Sequence, residues 1–196
     1  SNQVLIILEM LSIFVVLITI FSTVTTEHGP FTKDFVDFLT RHQSHNEYIL
    51  SSYRTNGNSG TFGGRSNPDD ELKNEPVIYV HGNSDSALYH SATATGWTKS
   101  VEFFMSNGFT TGELYGITYG NRNISHALQN SVTCRNLVGI RRFVEAVISY
   151  TKADKVDIIA HSMGVTLARK AIQGGSVCFY ATPLTFPFFI TYTSIC

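Results

Sequence analysis

Ser162 lies in the pentapeptide AHSMG, Ala160–Gly164, between an apolar run, KVDIIA, and a segment with helical spacing, GVTLARKAI. A serine between small residues on a sharp strand-to-helix turn has its hydroxyl lifted clear of the sheet, at a helix N-terminus whose partial positive charge favours an oxyanion. The usual form of this nucleophile elbow begins with glycine. Here alanine takes that place, and the requirement is only a small side chain, because the residues flanking the serine pack against each other. Acyl transfer at such a serine also needs two backbone donors aimed at the developing oxyanion, and losing one typically costs about 10²- to 10³-fold in rate. The N–H of Met163, next after the serine, is one candidate. The N–H of Asn83 is the other, in VHGN, where glycine permits a sharp turn after an earlier apolar strand. His81 in that loop is read as a structural histidine that orders it, with a general base as the alternative.

These residues need a scaffold that brings two loops together. PVIYV, from Pro76, is a continuous apolar run of the kind expected in a parallel strand covered on both faces. GELYGITYG reads as a second strand and KVDIIA as a third. Between them, Trp97–Ser106 and Val132–Thr151 carry apolar residues at helical spacing, and a further helix leaves the elbow to stop at Gly174 and Gly175. Strands alternating with helices of this length predict a doubly wound, mostly parallel α/β sheet. Upstream, Phe31, Phe35, Phe38 and Leu39 face away from Asp34, Asp37 and Arg41, which predicts a short amphipathic helix. The stretch from Thr55 to Pro68 is rich in Gly, Asn and Ser and reads as a loop, without the glycine spacing of a phosphate cradle.

Composition narrows the function classes. A chain of 196 residues that is 43% hydrophobic suits one globular domain. With 14 basic and 15 acidic residues, a net charge of -1 and no basic block, it carries no footprint for nucleic acid. The three cysteines, Cys134, Cys178 and Cys196, allow at most one internal disulfide, with Cys134 to Cys178 among the possibilities, and their spacing fits no zinc site. Residues 1–26 contain an apolar run from Met10 to Phe21 followed by small polar residues, which reads as a secretory signal peptide cleaved near Ser22 to Thr26. A membrane anchor or a buried helix is the alternative, given Glu9 and the absence of a basic leading segment. Asn123-Ile124-Ser125 is an N-glycosylation sequon, in keeping with a secreted, extracellular domain.

Taken together, PVIYVHGNSDSA, GWTKSVEFFMSNGFTTGELYGITYG and VDIIAHSMGVTLARKAI resemble the class 2 lipase family of the α/β-hydrolase superfamily, which includes small secreted bacterial lipases and secreted nematode lipases. The resemblance covers roughly residues 29–176. It implies hydrolysis of carboxylic esters of lipids, with Ser162 as nucleophile and the backbones of Asn83 and Met163 as the oxyanion hole. Lipid esters or a lipid–water interface are the implied partners, and no cofactor or metal is implied.

The pattern departs from the family after the elbow. In α/β-hydrolases the acid and the histidine follow the serine, whereas here every His, Asp and Glu precedes Ser162. The hydrolase domain is accordingly read as residues 27–176, incomplete after the nucleophile-bearing strand and helix. Residues 177–196 are read as an uncharged apolar tail atypical of the family, expected to lay at most one strand, SVCFYAT at 176–182, along the open sheet edge. His90, His126 and His161 are the upstream candidates for a substitute base, the less favoured reading because the side chain of His161 should diverge from the serine at the elbow. The alternative to an esterase is a catalytically inactive lipase-like domain that binds lipid or a protein.

Overall fold

The computed structural model describes residues 28–174 and the strand at 189–194. Five helices and five strands are described in it: α1 (Lys33–Arg41), α2 (Gln43–Asn56), β1 (Thr61–Phe62), β2 (Val77–Val80), α3 (Thr98–Ser106), β3 (Leu114–Ile117), α4 (Cys134–Thr151), β4 (Lys155–Ala160), α5 (Met163–Gln173) and β5 (Phe189–Ser194). The sheet order is β1-β3-β2-β4-β5, with β2 to β5 parallel and β1 antiparallel to β3.

The central strands β2 (VIYV) and β3 (LYGI) are apolar and buried throughout because both faces are covered. Successive side chains point to opposite sides. On one side Ile78 and Val80, Tyr115 and Ile117, Val156, Ile158 and Ala160 pack into a core shared with α1, α2, α4 and α5. On the other side Val77, Tyr79, Leu114 and Ile159 meet Val101 of α3, with Trp97, Phe104 and Phe109 against them. The expected doubly wound α/β sheet is therefore the one observed. Arg141 on α4, only 3% exposed, links α4 to α5 through a bond from its Nη1 to the Ala171 carbonyl and holds Glu145 with its Nε.

Several boundaries differ from the sequence reading. The amphipathic helix is α1, capped by the Thr32 hydroxyl and buried through Phe35 and Leu39. The helix expected from Val132 begins at Cys134, where Thr133 caps it, and a 3-10 turn at Ile124–Gln129 precedes it. The loop from Thr55 to Pro68 contains β1, whose Phe62 is buried, and α2 is an additional element. Beyond β4, the strand within the apolar tail is β5 at 189–194, paired from Lys155↔Phe189 to Ala160↔Ser194. The stretch expected to take that role, 176–182, lies outside the described residues, as does the leader at 1–26. Cys134 is disulfide-bonded, and Cys178 and Cys196 also lie outside the described residues. Among the described residues no helix is long and apolar enough to cross a membrane.

Candidate active site

The connections of β2 and β4 leave the sheet toward opposite faces, β2 through α3 and β4 through α5. A crevice opens at the carboxyl ends of two parallel strands where their connections diverge in this way. The register sets the two ends level, because Val80 stands opposite Ala160 and the His161 N–H donates to the Val80 carbonyl at 3.1 Å. The loop after β2 and the turn after β4 therefore lie side by side.

The elbow has the strain its sequence predicts. Ser162 is exposed, with φ +54° and ψ −126°, a left-handed backbone that a side-chain-bearing residue adopts at a cost of order 1–3 kcal/mol. Gly164 makes this turn possible. A Cβ there would lie 2.3 Å from the His81 carbonyl oxygen and 2.5 Å from that of Val80, so the first turn of α5 rests directly on the backbone at the end of β2. Ala160 is fully buried at the other end of the pentapeptide, which accounts for the small residue there.

The facing loop touches this turn. A Cβ on Gly82 would lie 3.2 Å from Ser162 Cβ and 2.9 Å from His161 Nδ1, so glycine is what allows the approach. Asn83 follows. Its side chain faces away from the chemistry, its Nδ2 donating to the Ala127 carbonyl at 2.8 Å and its Oδ1 accepting from Asn130 Nδ2 at 2.8 Å. Asn130 Nδ2 also reaches Ser84 Oγ at 2.9 Å, and Ser84 has φ +56°. Asp85 Oδ1 accepts from the N–H groups of Ser86 and Gly96 and closes the loop on itself. As the first residue of α5, Met163 has no intrahelical partner for its N–H. Among the described residues no acceptor takes the N–H of Asn83 or of Met163. Two unengaged amides from different loops thus flank the serine turn, which is the donor set an oxyanion requires.

The histidines are accounted for individually. His81 is 1% exposed and stacks on Tyr119. Its Nε2 accepts from the Tyr119 N–H at 3.0 Å, so Nδ1 carries the proton and donates to the Gly82 carbonyl at 2.7 Å. Burial pushes its pKa down to about 4, against the opposing pull of the Gly82 bond and of Asp85. With both nitrogens engaged, it is the loop-ordering histidine and not a base. His90 is exposed and approaches Ser59 Oγ, His126 approaches Gln129 Oε1, and His161 is exposed beside the serine. Among the described residues no histidine nitrogen is within hydrogen-bond distance of the Ser162 hydroxyl. Glu113 is buried before the amino end of β3, where it accepts from the N–H groups of Lys73, Asn74 and Thr110. It orders a loop at the opposite end of the sheet from Ser162. No group of three or more His, Cys, Asp or Glu among the described residues could hold a metal ion.

Asn130 is the residue that sequence reasoning missed. It stands 46 and 47 residues from Ser84 and Asn83, and no local motif marks it. Comparison with known protein families matches residues 74–184 to the lipase (class 2) family, a span that runs from just before β2 past the end of α5.

Proposed function

The chain belongs to the class 2 lipases, and we propose that it is a secreted serine hydrolase that cleaves carboxylic esters of lipids through an acyl-enzyme on Ser162. In this reading the Ser162 Oγ attacks the ester carbonyl carbon, its proton passing to a base, and the carbonyl oxygen becomes the oxyanion received by the N–H groups of Asn83 and Met163. The carbon–oxygen bond to the alcohol then breaks, the alcohol leaves with a proton, and water releases the fatty acid from the serine. The observation that carries the reading is the strained, exposed Ser162 at the carboxyl ends of β2 and β4, between two unengaged amides.

An alkyl phosphonate ester tests it, because the reagent traps an activated serine. Labelling is expected on the peptide carrying Ser162, slowly because no base stands within reach among the described residues, and is expected to vanish in Ser162→Ala, and full-strength labelling of that variant would refute the assignment. A second reading is favoured by the histidine positions: a domain that holds lipid without turning it over. With no base within reach among the described residues, turnover of a short-chain ester by these 196 residues is expected about 10⁴-fold or more below that of a complete triad.

The export reading rests on the leader at 1–26 and on the sequon, whose Asn123 is exposed at the start of the 3-10 turn. Mass spectrometry of material from the culture medium of a eukaryotic host is expected to find an N-terminus near Glu27 and a glycan on Asn123. Protein retained in the membrane fraction with Ser1 intact would overturn export.

A further inference from the structure

A cavity of about 380 Å³ lies between α2, the end of β3 and the first turn of α4. That volume is in the range of sites for small organic ligands, which are mostly apolar inside. This one is polar. Tyr48, Ser51, Ser52, Thr55 and Asn56 recur along α2 at the three- and four-residue spacing of one helix side, so that side presents hydroxyls and an amide where a helix packed on a sheet usually presents apolar groups. Opposite them stand Thr118, Tyr119 and Gly120, with Arg135 and Asn136 of α4. Among the described residues no carboxylate lines the cavity.

The polar groups of this wall are held in place. Tyr48 can lie against α4 because residue 139 is glycine, where a Cβ would fall 2.3 Å from Tyr48 Cε1. The Tyr48 hydroxyl donates to Asn136 Oδ1 at 3.2 Å, which orients the amide, and its Nδ2 faces Gly120, where a Cβ would lie 3.8 Å away. That Nδ2 has no acceptor among the described residues. Burial pushes the Tyr48 phenol up to about 12, against the pull of Arg135, so it stays neutral at ordinary pH. On α2, Ser52 Oγ donates to the Thr118 carbonyl and Asn56 Nδ2 donates to Ser52, which leaves Asn56 Oδ1 to accept. The hydroxyls of Ser51 and Thr55 have no partner, and Arg135 no ion pair, among the described residues. The unspent groups are thus a cation, an amide donor, two hydroxyls and an acceptor.

We propose that this cavity binds a small polyol carrying one oxyanion, a carboxylate or a phosphate, with Arg135 and Asn136 Nδ2 on the anion and Ser51, Thr55 and Asn56 on the hydroxyls. A guanidinium matches either oxyanion with paired N–H groups. No acid in the lining opposes the charge, and the cation alone would not account for the hydroxyls along α2. The site is separate from Ser162: no lining residue belongs to the serine turn or to the loop after β2. Tyr119 stands between the two, its ring stacked on His81 and its N–H and hydroxyl spent on the same residue. The inference therefore does not depend on the hydrolase reading.

Isothermal titration calorimetry of the full chain with glycerol 3-phosphate, glycerate, glycerol and inorganic phosphate tests it. Saturable binding is expected for one or both of the anionic polyols, and which of them binds tells phosphate from carboxylate. Glycerol and inorganic phosphate are expected to bind about tenfold more weakly or not at all. Arg135→Gln is expected to weaken binding about tenfold to a hundredfold, as for the loss of a charge-assisted bond. Asn136→Asp keeps an acceptor for Tyr48 but replaces the donor by a negative charge, and is expected to abolish binding. Ser51→Ala with Thr55→Ala is expected to cost several-fold, in a helix that alanine favours, so this variant should keep its fold. Lys99→Gln, the same charge change on α3, and Ser162→Ala are expected to leave binding unchanged. Absence of binding by both anionic polyols, equal binding of glycerol, or unchanged binding in the Arg135 and Asn136 variants would each overturn the proposal. Inorganic phosphate bound as tightly as glycerol 3-phosphate would reduce the site to an adventitious ion only, and loss of binding in Ser162→Ala would move the ligand to the serine crevice.

Discussion

His81 contributes to stability in a way that depends on pH. Neutral in the fold with its pKa depressed to about 4, it titrates near 6.5 when unfolded. Between those values the unfolded chain binds more protons, so the contribution is fully present above about pH 6.5 and is lost as pH falls toward 4. The amount at stake is on the order of 3 kcal/mol. Urea unfolding at pH 7 and near pH 4.5 is expected to show a larger acid loss for the wild-type chain than for His81→Gln, which cannot titrate. Equal acid losses in the two proteins would show that position 81 is not the source.

At the scale of elements, the contact between α5 and the end of β2 is the most sensitive point. Gly164→Ala places a methyl group on two backbone carbonyls that cannot rotate away, so α5 has to move off β2. A loss of about 2–3 kcal/mol is expected in denaturant unfolding, together with weaker phosphonate labelling, since the same shift displaces Ser162. Unaltered stability would mean that the close packing is not maintained in solution.

The elbow itself was readable in advance because a strand, a tight turn and a helix are consecutive in sequence, and AHSMG records all three, whereas the seating of Gly164 on the end of β2 is tertiary. The parallel strands were readable for a similar reason, since burial on both faces leaves an uninterrupted apolar run such as VIYV. Helix α2 was not, because its buried side includes Asn46 and Ser52 beside Ile49 and Leu50. Asn46 Nδ2 bonds the Leu39 carbonyl and Ser52 Oγ the Thr118 carbonyl, so polar residues occupy positions where a helical apolar stripe would otherwise be seen. Strand β1 has two residues and no period to detect. The Asn130 clamp depends on tertiary placement alone.

For the whole molecule, the two edges of the sheet are unequal. At one, β1 is only two residues long, which protects it from pairing with other chains. At the other, β5 covers β4 and among the described residues has no further neighbour. Its sequence, FITYTS, has neither charge nor proline, the features that normally keep an edge strand from recruiting another. Concentration-dependent association is expected in analytical ultracentrifugation, and Thr193→Lys is expected to diminish it. A monodisperse wild-type chain at high concentration would contradict the expectation.

The pairing of Val80 with Ala160 also makes the geometry of the site a quantity that changes only in steps. A slip of one residue between β2 and β4 would exchange the two cores wholesale, and a slip of two would carry the serine about 7 Å along the strand. Intermediate placements do not exist for paired strands. Substitutions in either core can therefore erode stability gradually while the spacing between the Asn83 and Met163 amides stays nearly fixed, until the sheet itself gives way.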